Sequence, residues 1–293
     1  MSNKNSSIRG ISAMLMAVCM FSLMDAGLKL LTPYYPALQI TAMRAIASLP
    51  FVVVYIFIRG SAASLLKIRW PLHLLRGVLG ISMLALFTYG LRSLPLSEAY
   101  SLFFIAPLLI TALSVPLLRE KVGATRWIAI FVGLLGVLIV LRPGTANLVS
   151  LGSLAVLGAA VCYSVSAICV RLISKTDTSD SMVFWAMTMI AIGAGCLAEP
   201  NWQPIEHRHL TVLAGIGLTG FFGQVAVTAA FQKGEASVIA PFEYSALALG
   251  IGLDWLLWQT LPDGIAILGA LVIVASGLYL IKKEKVHLEA EHP

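Results

Sequence analysis

Long apolar runs alternate with short polar breaks along the whole chain. Each run is close to the ~20 residues that an α-helix needs to cross a bilayer, and none shows the two-residue alternation of a membrane β-strand. The pattern predicts an all-α integral membrane protein with ten transmembrane helices. The predicted spans are 8–31, 36–58, 71–92, 96–118, 124–141, 151–173, 182–198, 210–231, 236–258 and 263–281.

The composition agrees with lipid as the natural solvent, because 59% of the residues are hydrophobic and only 12% are charged. A soluble domain carries roughly 25% charged residues. The net charge of +6 comes from Lys and Arg between the apolar runs, and no run combines aromatic and basic residues as nucleic-acid-binding segments do. We therefore expect the lipid bilayer, and no nucleic acid, as a partner. The four cysteines lie in apolar runs without metal-ligand spacing, so no metal site is predicted.

Lys and Arg are distributed unequally between alternate breaks. If the N-terminus is cytoplasmic, fifteen of the 20 lie in cytoplasmic segments and three lie outside, while Lys29 and Arg44 fall within predicted helices. Positive residues concentrate on the cytoplasmic side of membrane proteins. The count therefore predicts a multi-pass protein of a bacterial inner membrane with both termini in the cytoplasm.

Weak matches relate the two halves of the chain. At an offset of 140 residues, the third predicted helix aligns with the eighth, as Gly77 with Gly217, Gly80 with Gly220 and Thr88 with Thr228. The matches favour two five-helix halves, 1–144 and 145–285, followed by a cytoplasmic tail, 286–293. An odd number of helices per half inverts the second half in the membrane, and such inverted repeats are frequent in secondary transporters.

Several stretches are more specific than composition. They are Arg76-Gly77, Tyr89-Gly90-Leu91-Arg92, Ala106-Pro107-Leu108, Leu118-Arg119-Glu120-Lys121, Gly133-Leu134-Leu135-Gly136, Leu141-Arg142-Pro143-Gly144 and Ala240-Pro241-Phe242-Glu243-Tyr244. With these motifs the chain resembles the drug/metabolite transporter superfamily, EamA type, over nearly its whole length. It departs at Gln259-Thr260, where members of the family often have Gly-Glu.

The resemblance implies ten helices in two inverted halves around a central cavity that opens alternately to each side. It also implies a secondary carrier of amino acids, amines, nucleoside-like or vitamin-like metabolites, often for export. No cofactor is implied, and the resemblance does not select one substrate.

Three charged residues lie at helix depth in the first two spans, where a charge costs about 2.5–3.5 kcal/mol on insertion scales unless it faces protein or water. Asp25 and Lys29 are four residues apart on one helix face, and Arg44 lies eight residues into the second span. We predict that Asp25, Arg44 and Lys29 form a charged cluster in the outer half of the cavity. Substrate contact and a structural ion pair, with Lys29 reaching to the interface, both remain open.

Glu243 is the most distinctive acidic residue, since no positive residue lies within one turn of it along its own span. A carboxylate that loads and releases a proton would serve proton-coupled exchange. Binding of a cationic amine and a hydrogen bond between helices are the alternatives. Asp254 lies on the same face, near the outer end of the span, and we expect it to be solvated.

Gln224 shares a helix face with Gly217, Gly220 and Thr228, and this small, polar stripe indicates either close helix packing or a cavity wall.

Aromatic side chains could wall an apolar pocket. The candidates are Tyr89, Tyr100, Tyr163, Trp185, Phe231 and Tyr244. Pro107, Pro116 and Pro241 fall inside predicted helices and would act as hinges or as static kinks.

Four kinds of function are compatible with a multi-pass protein. The five histidines are expected in loops or the tail, and no HExxH, GxSxG or GxxxxGK[ST] motif occurs, which argues against an enzyme and an ATP-driven pump. No filter motif suggests a channel. We predict a secondary transporter, an exporter or exchanger acting as a monomer or homodimer on an amino acid or related zwitterion or amine. A membrane-embedded enzyme or a non-transporting subunit remains an alternative, as does a nucleoside-, S-adenosylmethionine- or vitamin-like substrate.

Overall fold

The computed structural model describes residues 2–66, 68–118, 124–141, 150–173, 176–233 and 240–291, and these residues contain helices and no strands. The α-helices are α1 (Ser2–Leu31), α2 (Ala37–Arg59), α3 (Trp70–Leu91), α4 (Leu96–Phe103), α5 (Ala106–Leu118), α6 (Ala124–Leu141), α7 (Leu151–Ile173), α8 (Ser179–Ala198), α9 (Leu210–Lys233), α10 (Ser245–Trp258) and α11 (Gly264–Glu291). Short 3-10 helices occur at Ala62–Leu66, Glu199–Asn201, His207–His209 and Ala240–Tyr244.

The helices follow the apolar runs, so the all-helical character predicted from the sequence is confirmed. In the described part of the chain, six helical stretches are long and apolar enough to cross a membrane. They are Gly10–Leu31, Ala37–Arg59, Trp70–Leu91, Leu151–Val170, Ser179–Asn201 and His207–Ala230. Shorter apolar helical stretches are Leu96–Ile110, Phe131–Val140 and Gly264–Ser276. The chain is therefore a multi-pass membrane protein, while ten spans in two inverted halves stay a prediction.

Two predicted spans are not continuous α-helices. The fourth is interrupted between α4 and α5 at Phe104 and Ile105, just before Pro107. In the ninth, the described residues open with the 3-10 helix Ala240–Tyr244, which contains Pro241 and precedes α10. Proline lacks an N–H and disfavours the helical conformation of the residue before it, which explains why neither span is a regular α-helix around its Ala-Pro pair. Pro116, by contrast, is accommodated inside α5.

Two of the helices, α2 and α10, end at a residue in the left-handed backbone conformation. Gly60 ends α2 in the left-handed conformation, with φ of 63°, which glycine adopts without steric cost. Gln259 ends α10 in the same conformation, with φ of 55°. The glycine that the resemblance leads us to expect at 259 would adopt this conformation without steric cost, so the departure affects a turn and not the course of the helices.

The helices pack in pairs, of which the most extensive join α1 to α9, α3 to α7, α6 to α11 and α2 to α8. Glycines allow some of these helices to approach each other closely. A Cβ atom on Gly136 would lie 3.0 Å from the carbonyl oxygen of Gly269, and one on Gly269 would lie 2.9 Å from that of Gly136.

Candidate functional site

Aromatic rings gather where the two interrupted spans meet. The ring of Phe104, in the interruption between α4 and α5, lies 5.0 Å from the ring of Tyr244 at the end of the 3-10 helix. Tyr100 of α4 is 6.5 Å from Phe104. Phe103 of the same helix is 5.3 Å from Tyr163 of α7. With Phe87 of α3, 6.2 Å from Tyr100, these residues form one group, which we call the aromatic cluster.

Asp25 approaches the aromatic cluster from α1. Its Oδ2 accepts a hydrogen bond of 2.9 Å from the hydroxyl of Tyr100. Asp25 is only 8% exposed and Tyr100 only 6%. A carboxylate buried in this way needs hydrogen bonds or an opposite charge to offset the loss of water. The phenol supplies one such bond and connects the charged side chain to the ring system.

Arg44 lies on α2 beside the same stretch of α1. Its Nε donates to Sδ of Met24 at 2.9 Å, and the side chain interacts electrostatically with Asp25. Arg44 is 5% exposed. Gly220 of α9 lies beside this contact, since a Cβ atom there would be 3.2 Å from Met24 Sδ and 3.9 Å from Arg44 Nε. The structure thus places Asp25 and Arg44 near enough to interact electrostatically, but without an ion pair.

Glu243 lies at the other side of the aromatic cluster, on the 3-10 helix that precedes α10 and not in a regular α-helix. It is half-buried and interacts electrostatically with Tyr163 and Tyr244. Among the described residues, no cation forms an ion pair with it and no hydrogen bond to its side chain is found. The buried hydroxyl of Tyr244 also lacks a hydrogen-bond partner in the described part of the chain.

Lys29 does not join Asp25 and Arg44. Its Nζ forms an ion pair of 3.0 Å with Oδ1 of Asp254 on α10, and it lies 4.2 Å from the centre of the Trp258 ring. The lysine side chain is 12% exposed, so it does not extend freely to the interface. The expected three-residue cluster therefore separates into an Asp25–Arg44 part and a Lys29–Asp254 part.

Asp254 corrects an expectation drawn from the sequence, because it is 0% exposed and not solvated. Besides Lys29, it accepts hydrogen bonds from the backbone N–H of Leu96 at 3.0 Å and of Ser97 at 2.8 Å, and from the Ser97 hydroxyl at 2.8 Å. The first N–H groups of a helix have no partner within the helix. Asp254 satisfies those of α4 from another helix, an arrangement that local sequence cannot reveal.

Two predicted site residues, Tyr89 and Trp185, make their contacts away from the aromatic cluster. Tyr89, 41% exposed, lines a separate surface cleft of about 390 Å³ between the end of α3 and the start of α7. Trp185 donates from Nε1 to the carbonyl of Leu65 at 2.9 Å and packs edge-to-face against Trp70. Gln224 is half-buried on α9, one turn from Gly220. The side chain of Phe231 lies outside the described residues.

Two histidines are buried, which corrects the expectation that all five occupy loops or the tail. His73 of α3 is 2% exposed, and its Nε2 lies 2.9 Å from Oδ2 of Asp177 in the α7–α8 connection. His209 is 7% exposed, and its Nδ1 lies 2.7 Å from the Tyr35 hydroxyl. Each contact joins the start of a helix to a connection in the other half of the chain.

The charged side chains around the aromatic cluster, Asp25, Arg44 and Glu243, are chemically able to bind a charged ligand or to exchange a proton. No group of three His, Cys, Asp or Glu side chains that could hold a metal ion occurs among the residues described. A cation and two carboxylates at an aromatic surface can hold a small charged molecule, as ligand sites combine apolar walls with a few placed polar groups. Ionisable residues at membrane depth are expensive, which makes them candidates for function.

Sequence comparison finds named transporters among the proteins similar to this chain. The chain is 26% identical over 277 residues to the pseudopaline exporter CntI of Pseudomonas aeruginosa, covering 94% of this chain and 97% of the relative. It is 28% identical to the riboflavin transporter of Vibrio cholerae, with 97% and 96% covered. It is 26% identical to the S-adenosylmethionine uptake transporter of Rickettsia prowazekii, again with 97% and 96% covered.

A solved structure shares the fold. It is described as the crystal structure of a protein, is 20% identical, and superposes with a TM-score of 0.67 over 95% of this chain and 98% of its own. The sequence model of the EamA-like transporter family matches residues 8–142 and again residues 150–282. Together the two matches cover most of the protein. The chain therefore belongs to the EamA-like transporter family, within the drug/metabolite transporter superfamily.

Proposed function

We propose that the protein is a secondary transporter that moves a small metabolite, an amino acid or related zwitterion or amine, across a bacterial inner membrane by alternating access. The observation that carries the proposal is the meeting of Asp25, Arg44 and the aromatic cluster where the two interrupted spans touch. Interrupted helices form the substrate sites of many secondary transporters. The protein acts as an exporter or exchanger, and both termini are cytoplasmic.

The helix packing supports an inverted-repeat architecture with ten spans. If α1 to α6 form the first half and the remaining helices the second, the contact of α1 with α9 corresponds to that of α7 with α3. The contact of α2 with α9 corresponds in the same way to that of α8 with α3. The two family matches divide the chain near the same point, at 142 and 150. Two similar halves could then exchange conformations around the central site.

Several named relatives favour a metabolite substrate over an enzymatic role. One is an S-adenosylmethionine uptake transporter, and that compound carries both an ammonium and a carboxylate group. A riboflavin transporter is equally similar, so a vitamin-like substrate is the second candidate. The site favours a zwitterionic substrate, because its opposite charges match a zwitterion better than a neutral ring system.

Glu243 is the residue proposed to couple transport to protons. It is half-buried beside Tyr163 and Tyr244, and no cation pairs with it among the described residues. A carboxyl group in such a place can bind a proton on one side of the membrane and release it on the other.

Counterflow in proteoliposomes tests the proposed function. Vesicles with purified protein, preloaded with unlabelled amino acids, S-adenosylmethionine or riboflavin, should transiently accumulate the same labelled compound above equilibrium. A channel or an enzyme would not produce such accumulation. If no probe gives counterflow, the transporter proposal fails.

Glu243→Gln tests the coupling. With the carboxylate removed, exchange should persist while the dependence of net transport on a pH gradient is lost. Glu206→Gln, at an exposed position on the α8–α9 connection, is the matched control. A Glu243→Gln protein that keeps both its rate and its pH dependence would remove Glu243 from coupling.

A further inference from the structure

Most of the hydrogen-bond donors of Arg44 are unused. A guanidinium group carries five N–H donors. Within the described part of the chain, the one hydrogen bond of this side chain runs from Nε to the thioether sulfur of Met24, which is a weak acceptor. Only 5% of the residue is exposed. Its terminal nitrogens are nevertheless not among the fully buried polar atoms that lack a partner, so they border accessible space. A cation at membrane depth that has no ion pair among the described residues and borders accessible space is a candidate for binding an anion.

Asp25 is the nearest fixed anion, yet it does not fill that place. The two side chains interact electrostatically, but their charged atoms stay farther apart than the 4.0 Å of an ion pair. The Asp25 carboxylate is held by Tyr100 instead. Two opposite charges that interact without forming an ion pair each keep the capacity for a further partner, the guanidinium for an acceptor and the carboxylate for a donor.

We propose that Arg44 binds the carboxylate of the substrate and that Asp25, positioned by Tyr100, binds its ammonium group. This assignment rests on the proposed transporter function and defines how its site holds the two charged ends. The planar guanidinium can bind a carboxylate through two parallel hydrogen bonds. Met24 is flexible and can leave Nε when the carboxylate arrives. The remainder of the substrate then lies toward the aromatic cluster and Glu243.

The alternative is that Arg44 and Asp25 only stabilise the contacts of α1 with α2. A structural role predicts that a change at Arg44 weakens binding of every ligand equally. A role in carboxylate binding predicts a selective loss, confined to ligands that carry a carboxylate. Chemically matched ligands therefore separate the two.

The experiment compares L-amino acids with their methyl esters, which keep the ammonium group but lose the negative charge. Purified protein is first screened for thermal stabilisation by the standard L-amino acids, with riboflavin as a neutral probe. The most stabilising amino acid then competes with its ester in counterflow. We expect the wild type to prefer the acid by at least about tenfold, as a charged hydrogen-bonded pair contributes roughly 1.5–3 kcal/mol.

Variants then assign the preference to residues. Arg44→Gln should remove most of the preference for acid over ester, and Arg44→Lys should keep part of it. Asp25→Asn should instead reduce discrimination against the N-acetylated amino acid. Arg76→Gln is the matched control, because Arg76 on α3 donates to the carbonyl of Met182 at 2.9 Å, away from Asp25. It should leave both preferences unchanged.

Three results would overturn the assignment. The wild type could bind acid and ester equally, Arg44→Gln could weaken both to the same extent, or riboflavin alone could stabilise the protein and show counterflow. In each of these cases the transporter function would stand without the assignment. Failure of counterflow with every probe would instead remove the transporter function, and the assignment with it.

Discussion

Individual side chains in this protein make contacts that cannot be predicted from the residues next to them in the sequence. Asp254 combines an ion pair to Lys29 with three hydrogen bonds to the first turn of α4. The carboxylate thus connects α1, α4 and α10 at one point. Because it is completely buried, each partner would be left unsatisfied if the carboxylate were removed.

Asp254→Ala should therefore destabilise the protein strongly, by about 3–5 kcal/mol, since it leaves a buried lysine without its counter-charge. Unfolding of the purified protein in mixed detergent micelles measures the loss. Combining it with Lys29→Met should restore part of the stability. The exposed pair of Arg208 with Glu206 is the comparison, and Glu206→Gln should change little. An Asp254→Ala protein as stable as the wild type would contradict the capping role.

Asp177, in the α7–α8 connection, should make the stability of the folded protein depend on pH. Burial raises its pKa, but hydrogen bonds from the Thr176 hydroxyl, the Arg69 N–H and His73 outweigh burial and hold the pKa below its ordinary value of 3.8. A carboxyl group with a lowered folded-state pKa stabilises the protein above its unfolded-state pKa. That stabilisation disappears as the pH falls through the folded-state value.

Asp177→Asn should consequently lower the unfolding temperature at about pH 6, and the difference from the wild type should shrink below about pH 4. Thermal unfolding monitored by tryptophan fluorescence across this range provides the measurement. Asp180→Asn is the control, because Asp180 pairs at 3.6 Å with an arginine side chain that is 57% exposed. A constant difference at every pH would exclude Asp177 as the titrating group.

At the scale of elements, several helix pairs pack closely because a glycine lies at their contact. α2 and α9 approach so closely that a Cβ atom on Gly217 would lie 2.5 Å from the carbonyl oxygen of Ala47. Ser48 donates to the Gly217 carbonyl at 3.1 Å across the same contact. Backbone atoms cannot move aside as side-chain ends can, so this contact tolerates only glycine.

Gly217→Ala should separate α2 from α9 and cost about 1–3 kcal/mol, the usual range for overpacking. Gly215→Ala on the same helix is a strict control, because nothing lies within 4 Å of the place that its new methyl group would take. Unfolding in detergent should distinguish the two variants. If both behave alike, the close contact of α2 with α9 is not important for stability.

At the scale of the whole molecule, the proposed inverted repeat predicts on which side of the membrane each connection lies. The α2–α3 and α8–α9 connections occupy equivalent places in the two proposed halves, and Ala62 and Glu206 are exposed within them. In an inverted repeat these connections lie on opposite sides of the membrane. In a parallel repeat they would share one side.

Single cysteines at positions 62 and 206, in a background without the four native cysteines, should therefore differ in labelling. A membrane-impermeant maleimide added to intact spheroplasts should label position 206 and spare position 62 until the membrane is opened. Labelling of both positions from the same side would contradict the inverted repeat. The proposed exchange of conformations between two halves would then lose its basis.

The sequence by itself determined the solvent and the helical character of the chain, because both follow from local hydrophobicity. It also indicated that Asp25 and Arg44 belong together, since the predicted topology puts both in the outer half of neighbouring spans. The interruptions at Ala106-Pro107 and Ala240-Pro241 could be anticipated as kinks, but not as the place where aromatic rings collect.

Only the tertiary structure decided which charges meet. Lys29 and Asp254 are 225 positions apart, and Tyr100 lies 75 positions from Asp25. Contacts between such distant positions depend on how whole helices pack, and no local pattern encodes a rotation or an offset between two helices. The same reason explains why Asp254 was expected in water, and why Tyr89 and Trp185 lie apart from the cluster that the other aromatic residues form.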